Sequence, residues 1–418
     1  MAFYMRRIHK KTRFYGQEQI LSLRKINKMR KALLFLVVSS FSSSTCKYAL
    51  LLGIICLTIG CQNKYPDVIH VEGGKLHVQG IALDKKEKCL YCSFTSAFFK
   101  TDLEGNIIGS VTGINGHLGA MTYDEKEKKV YASLEIKDDE IGRGISDVLG
   151  KVRHEKQSST FYVAEIDVCK VNRLEVPFEE AFTLHVIDEV AEDYLDTVTV
   201  NGMRLEHRYG CSGMDGIAIA PEFGSRGVRY HHGRSSVGGP GVDSISATKI
   251  QSSHAKIFKT SRKRKAECIY LAYGIYGDTT RTDNDYNILL CFKKDDLKTP
   301  IHKYFVKTGN TRYGVQNMAY DKTSERLFLA VYKGQKSAYP NYSLFSLDIN
   351  QEPFMGSLEG VPYESNEVEQ LRVTDASHFR HGSTGLYSFG DGRWYVSHKG
   401  KKDGVQYSDV TLYQSLEE

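Results

Sequence analysis

Along the chain, hydrophobic and polar positions repeat one join: a polar stretch holding a small residue runs directly into a short apolar strand. It appears as Gln79-Gly80-Ile81-Ala82-Leu83-Asp84, as Gly119-Ala120-Met121-Thr122-Tyr123-Asp124 and as Asp215-Gly216-Ile217-Ala218-Ile219. Two more copies are Gln316-Asn317-Met318-Ala319-Tyr320-Asp321 and Thr384-Gly385-Leu386-Tyr387-Ser388-Phe389. Behind each copy come short apolar runs parted by charged or glycine-bearing turns, the mark of antiparallel strands. The first copy predicts strands at 80–84, 89–94, 97–102 and 107–111. The second predicts 120–124, 129–134, 160–167 and 182–186. The third opens at Gly216 and resumes at 267–273, 287–293 and 302–307. The fourth predicts 318–321, 326–332, 342–348 and 354–358, and the fifth 385–389, 394–398 and 408–413.

Four strands per repeat, arranged radially, define an all-β fold of the β-propeller type. The fifth repeat lacks its outer strand, while Val68-Ile69-His70-Val71 precedes the first with no role in it. Pairing the two closes the ring and leaves no long open edge. Five blades follow; the uneven spacing of the anchors leaves six as the alternative. Residues 62–418 read as a single propeller domain with insertions at 137–157 and 222–266. The first insertion mixes charge and glycine and suits a short helix. The second, with His231-His232 and Arg262-Lys263-Arg264-Lys265, has too little apolar content to pack and reads as a solvated surface loop.

Composition agrees with strands: 26 Tyr and 19 Phe against 8 Pro. The formal charge of +6 is misleading as a whole. Eleven of the 56 Lys and Arg, but only one acid (Glu18), fall in residues 1–60, so the rest of the chain is slightly acidic. Nucleic-acid binding by the body is therefore unsupported. Residues 1–61 read as a leader: Arg24, Lys25, Lys28, Arg30 and Lys31 precede apolar stretches that end at Cys61. Leu57-Thr58-Ile59-Gly60-Cys61 resembles a bacterial lipobox. That resemblance implies lipidation of Cys61, export, and a membrane contact through the N-terminal anchor alone, facing the periplasm or cell surface. A plain transmembrane anchor is the other reading. Cys89 and Cys92 are three apart in a strand, so they point to opposite faces and read as buried free thiols.

In a propeller the strand that opens each blade lines the channel, and the residues just before it converge at one mouth. Here they are His77 and Gln79; His117; Arg208, Tyr209 and Asp215; Arg312, Tyr313, Gln316 and Asn317; and His381, Ser383 and Thr384. Closure of a wet channel would itself need polar partners, yet cation, carboxylate, amide and phenol together favour a ligand site. Asp215 and Glu135 are the candidate acid/base pair, with His117 or His381 as proton carrier. Arg208, Arg281 and Arg312 are candidate substrate clamps, and Tyr209, Tyr276 and Tyr313 candidate stacking faces. The stretch 273–285 carries Asp278, Asp283 and Asp285 among Thr and Asn, a hard-oxygen set suited to Ca²⁺, or to a turn bonded to its own backbone. GxSxG, HExxH, Walker and dinucleotide-binding motifs are absent.

The opening Asp215-Gly216-Ile217-Ala218-Ile219 is similar to that of gluconolactonase-like and related lactonase propellers, a resemblance that implies a metal-bound hydrolytic site in the channel. Five-bladed furanosidase-type glycosidases with an Asp/Glu pair offer an analogy of fold. Two functions are expected: an exported, metal-assisted hydrolase or lyase acting on a sugar-like or anionic small substrate, or a surface lipoprotein that binds a glycan or protein without turnover.

Overall fold

The computed structural model describes residues 65–150, 159–224 and 266–416. Cys61 with its leader, His231-His232 and the basic run 262–265 lie outside these. The segment from Pro66 onward is one compact unit. Its first strand is β1 (Val68–Gly74). Blade 1 follows as β2 (Val78–Asp84), β3 (Cys89–Phe94), β4 (Ala97–Thr101) and β5 (Ile107–Val111). Blade 2 is β6 (His117–Asp124), β7 (Lys129–Ile136), β8 (Thr160–Asp167) and β9 (Phe182–Val186). A short hairpin, β10 (Thr197–Val200) and β11 (Met203–Glu206), precedes blade 3. That blade is β12 (Cys211–Pro221), β13 (Glu267–Ile275), β14 (Tyr286–Lys293) and β15 (His302–Lys307). Each is an antiparallel sheet in sequence order, so the chain is a five-bladed β-propeller.

Blade 4 corrects the predicted strand order. Its inner strands are β16 (Thr311–Asp321), β17 (Arg326–Lys333) and β18 (Leu344–Asp348). The segment expected to finish it, β19 (Phe354–Gly356), pairs instead with β20 (Val368–Leu371), and β20 lies parallel to β15 at the edge of blade 3. Leu371 there joins the apolar cluster of Tyr304 and Val306, and that burial decides the pairing. The outer strand of blade 4 is β21 (Asp375–Ser377). Blade 5 comprises β22 (Leu386–Ser388), β23 (Trp394–Lys402) and β24 (Val405–Tyr413), completed by β1 in register Val68↔Thr411 to Val71↔Ser408. The N-terminal strand closes the ring, as the unpaired fifth repeat predicts.

The recurrent small residue in each opening has a steric cause. A Cβ on Gly80 would stand 2.8 Å from Ala120 Cα of blade 2, and one on Gly216 would stand 2.9 Å from Val315 of blade 4. A Cβ on Gly385 would meet Ser397 at 2.7 Å and Ile81 of blade 1 at 3.0 Å. Neighbouring inner strands thus approach too closely for side chains. Where blade 4 has Asn317 in place of glycine, its amide donates to the carbonyls of Gln79 (2.8 Å) and Ser383 (3.0 Å), tying blades 1, 4 and 5 at the axis. The aspartates ending β2, β6 and β16 accept turn N–H groups, as Asp84 does from Lys86 at 2.8 Å.

The first insertion does form a helix, α1 (Glu140–Leu149), capped by Asp139 and ended by left-handed Gly150. A one-turn helix, α2 (Phe178–Ala181), leads into β9 within blade 2, and α3 (Asp188–Leu195), between blades 2 and 3, buries Val190 and Tyr194. Cys89 and Cys92 are buried free thiols, as expected.

Candidate active site

Glu135 and His117 are cross-strand partners in blade 2, and Asp215 comes from the inner strand of blade 3. β12 is irregular on both sides of Met214, with shifts between Cys211 and Gly213 and between Met214 and Ile217. This bulge turns Asp215 toward blade 2. Its carboxylate accepts from Gln316 Nε2 at 2.8 Å, and its backbone carbonyl accepts from Ser133 Oγ at 2.6 Å. Gly213, at φ +121°, lets the backbone pass Glu135, since a Cβ there would lie 2.1 Å from Oε2. Glu135 Oε2 then accepts the Met214 N–H at 3.1 Å.

His117 Nδ1 stands 3.5 Å from Glu135 Oε1 and 3.5 Å from Asp215 Oδ1. Both carboxylates thus approach one imidazole nitrogen. Nδ1 is buried and hydrogen-bonded to neither. A buried polar atom without a partner is uncommon, and here it lies between two proton-exchanging groups.

Lys137 completes the cluster. Its Nζ is 2.7 Å from Glu135 Oε1 and 3.3 Å from Asp139, and it donates to the Ser212 carbonyl at 2.8 Å. Its side chain is only 4% exposed. Burial opposes its charge, but Glu135, Asp139 and Asp215 outweigh burial and raise its pKa, so it is a fixed cation. Glu135 is raised because burial is only partly offset by Lys137 and the Met214 N–H. Asp215 is raised well above the carboxylate range by burial and by the charge of Glu135, against weaker help from Lys137 and Gln316. His117 is lowered to about 3, by burial first and then by Lys137. Burial thus favours the neutral forms of His117 and Asp215, whereas the ammonium of Lys137, 2.7 Å away, favours the ionised form of Glu135. The two carboxyls stand in different environments, Glu135 beside a buried cation and Asp215 without one in bonding range, the kind of asymmetry that separates an acid from a base.

These groups open into a cavity of about 740 Å³ at the channel mouth, within the range of small-molecule sites. His77, Gln79, Tyr276, Arg312, Tyr313 and Gln316 line it, as the sequence leads one to expect. Gln79 donates to His77 Nε2 at 3.1 Å and to Thr95 Oγ1 at 2.9 Å. His77 is lowered to about 4 by burial, by Lys399 and by His117. Ile141 and Ile145 of α1, with Leu76, supply an apolar wall. Sequence reasoning missed Lys137, Lys333 and Lys399. Lys137 had a visible signal, since two residues after Glu135 it falls on the same side of an extended chain.

Other expected residues lie elsewhere. Arg208 pairs with Asp196 (3.2 Å) and Glu364 (3.0 Å), and Tyr209 donates to Glu364 at 2.7 Å. Both edge a separate cleft beside α3. The left-handed backbone of His207 (φ 66°) and Tyr209 (φ 56°) turns them away from the cavity. Arg281 is buried, bonded to Asp283 and to the carbonyls of Glu206 and His207, so it fastens the chain ahead of β12. His381 packs on His398 with ring centroids 4.4 Å apart, outside the cavity lining. Asn317 is the axial tie described above.

The oxygen-rich loop does not gather around one point. Asp278 accepts from Thr280, Asp283 from Arg281 and Tyr363, and Asp285 from Lys336 and Tyr339. No group of three or more His, Cys, Asp or Glu suited to a metal occurs among the described residues. These residues do not fit a Ca²⁺ site, and the hydrogen-bonded turn is what they form.

The class of protein is thus a five-bladed propeller with a buried carboxyl–imidazole–ammonium cluster at its mouth. No family model matches the chain, and no curated protein matches it. Among solved structures it is similar to a soluble aldose sugar dehydrogenase from Escherichia coli, at 9% identity and a TM-score of 0.34, over 83% of this chain and 99% of that one. It is also similar to a putative gluconolactonase, at 8% identity and a TM-score of 0.27, over 83% and 93%. At these values the likeness bears on neither activity nor substrate.

Proposed function

We propose that this chain is a hydrolase or lyase for a sugar-like or anionic small substrate, working by general acid/base chemistry at the channel mouth. The observation that carries this reading is His117 Nδ1, buried and unbonded midway between Glu135 and Asp215. In this scheme protonated Asp215, the more exposed of the two carboxyls at 14% against 5%, gives its proton to the leaving oxygen. Ionised Glu135 accepts a proton from water or from the substrate carbon, or attacks directly. His117 passes protons between them, and Lys137 keeps Glu135 ionised. Glycan binding without turnover is the second reading, supported by the tyrosines and amides that line the same cavity.

The test is a turnover screen of the full-length chain against glycosides, lactones and uronate oligomers, with Asp215→Asn and Glu135→Gln alongside. Both variants should bind the substrate that wild type turns over and release about 10²–10⁴-fold less product. Binding with no product from wild type would establish the glycan-binding reading instead. We also place the protein at the cell envelope, anchored through lipidated Cys61. Labelling with a fatty-acid analogue should mark wild type and not Cys61→Ser; equal labelling would exclude it.

A further inference from the structure

The cavity wall contributed by blades 4 and 5 carries three exposed cations, Arg312, Lys333 and Lys399. Arg312, Lys333 and Lys399 have no carboxylate partner among the described residues, yet all three line one cavity. Arg312 only approaches the Tyr313 ring, at 5.9 Å. Lys399 donates to Tyr332 Oη at 3.1 Å and lies 5.3 Å from that ring's centre. The strand register brings the group together: Arg312 faces Tyr332 and Thr311 faces Lys333 across β16 and β17, while Lys399 arrives from β23 of the next blade.

The cavity's own acids cannot neutralise these cations. Glu135 is committed to Lys137, and burial with the nearby charge of Glu135 disfavours the charged form of Asp215. The field of Lys399 reaches inward far enough to help depress His77. Three like charges around one opening repel one another, and a bound anion would remove that repulsion and add charge-assisted hydrogen bonds. Beside them, Tyr276, Tyr313 and Tyr332 supply aromatic faces of the kind that carry a sugar ring.

We propose that Arg312, Lys333 and Lys399 form a subsite for the anionic group of a sugar acid or a sugar phosphate. Taking this cavity as the substrate site, as the proposed function does, the charged end of the substrate lies against blades 4 and 5. Its reacting bond lies toward blades 2 and 3, which keeps the negative group away from Glu135.

His77 is a built-in reporter. The full-length chain, with histidines isotopically labelled, is titrated by NMR with glucuronate, glucose 6-phosphate and glucose, and affinities are measured by calorimetry. An anionic sugar should raise the His77 pKa from about 4 toward the ordinary 6.5, bind more weakly as salt rises, and bind about tenfold or more tighter than glucose. The variant Arg312→Ala/Lys333→Ala/Lys399→Ala should lose that preference while its Tm stays near wild type, since these side chains are exposed. A response to glucuronate alone assigns a sugar acid; a response to glucose 6-phosphate alone assigns a sugar phosphate. The subsite is overturned if glucose binds equally well, if the triple variant keeps the preference, or if neither anion moves His77. Anion preference without product from any substrate would leave the subsite standing and refute the chemistry. Turnover of neutral sugars as fast as charged ones would do the reverse.

Discussion

Replacing Lys137 by methionine removes the cation that holds the acid/base cluster together while keeping a side chain of similar length. The ammonium serves Glu135 at 2.7 Å, Asp139 at 3.3 Å and the Ser212 carbonyl at 2.8 Å, all from a buried position. Breaking a buried pair by removing one partner costs about 3–5 kcal/mol, because the other charge stays behind without its counter-ion. Glu135 can relieve this by taking up a proton, since its carboxyl already titrates above its ordinary 4.5 through burial. A carboxyl raised in the folded state binds its proton there first. Its contribution is fully present below the unfolded pKa and is lost as pH rises through the folded one, at about 1.4 kcal/mol for each pH unit between the two. The deficit of Lys137→Met should therefore be about 3–5 kcal/mol at pH 8 and clearly smaller at pH 5. Adding Glu135→Gln should recover most of the loss at pH 8, since no buried charge is then stranded on Glu135. Urea midpoints of wild type, single and double variants at both pH values read this directly. A deficit below about 1 kcal/mol at pH 8, an equal deficit at both pH values, or no recovery in the double variant would refute the charge assignment.

Three further outcomes follow from the same geometry. Gly213→Ala forces a Cβ into Glu135 Oε2 at a left-handed φ, so it should destabilise by about 2–4 kcal/mol and disturb the site; a thermal shift near zero would contradict that packing. Asn317→Ala strands the carbonyls of Gln79 and Ser383 at the axis and should cost about 1–3 kcal/mol by urea unfolding, whereas Asn317→Asp should be no better because it cannot donate to them when ionised. His77, folded at about 4 against 6.5 unfolded, is protonated first in the unfolded state, so stability should fall as pH drops through that window. Its share is up to about 3 kcal/mol, and His77→Gln should flatten this part of the pH profile; parallel profiles would show that His77 contributes none of it.

The strand content, the ring and its closure were written in the chain itself. Alternation and turn chemistry are local properties, and five small-residue openings followed by apolar strands already imply inner strands packed edge to face around an axis. Val68–Val71 could be assigned to blade 5 because an unpaired strand and an incomplete sheet solve each other's hydrogen-bonding problem. The inner-strand residues Asp215, Gln316 and Gln79 were legible at the mouth for the same reason, and so was the apolar run ending at Glu135. What only tertiary structure decided is which polar neighbours face the cavity and which tie the scaffold. Arg208, Arg281 and Arg312 look alike in sequence. The left-handed turn at 207–209 sends the first to Glu364, burial against Asp283 fixes the second, and only the third reaches the mouth. Asp278, Asp283 and Asp285 likewise read as one oxygen set, but Asp278 bonds within its own turn, Asp283 to Arg281 and Tyr363, and Asp285 to Lys336 and Tyr339. Strand pairing at 354–371 and the charge states of Asp215 and Glu135 depend on burial by residues far away in the chain. Local pattern sets the direction a side chain takes from its own strand, whereas the partner it meets, and therefore its charge, is set by which blades the ring brings into contact.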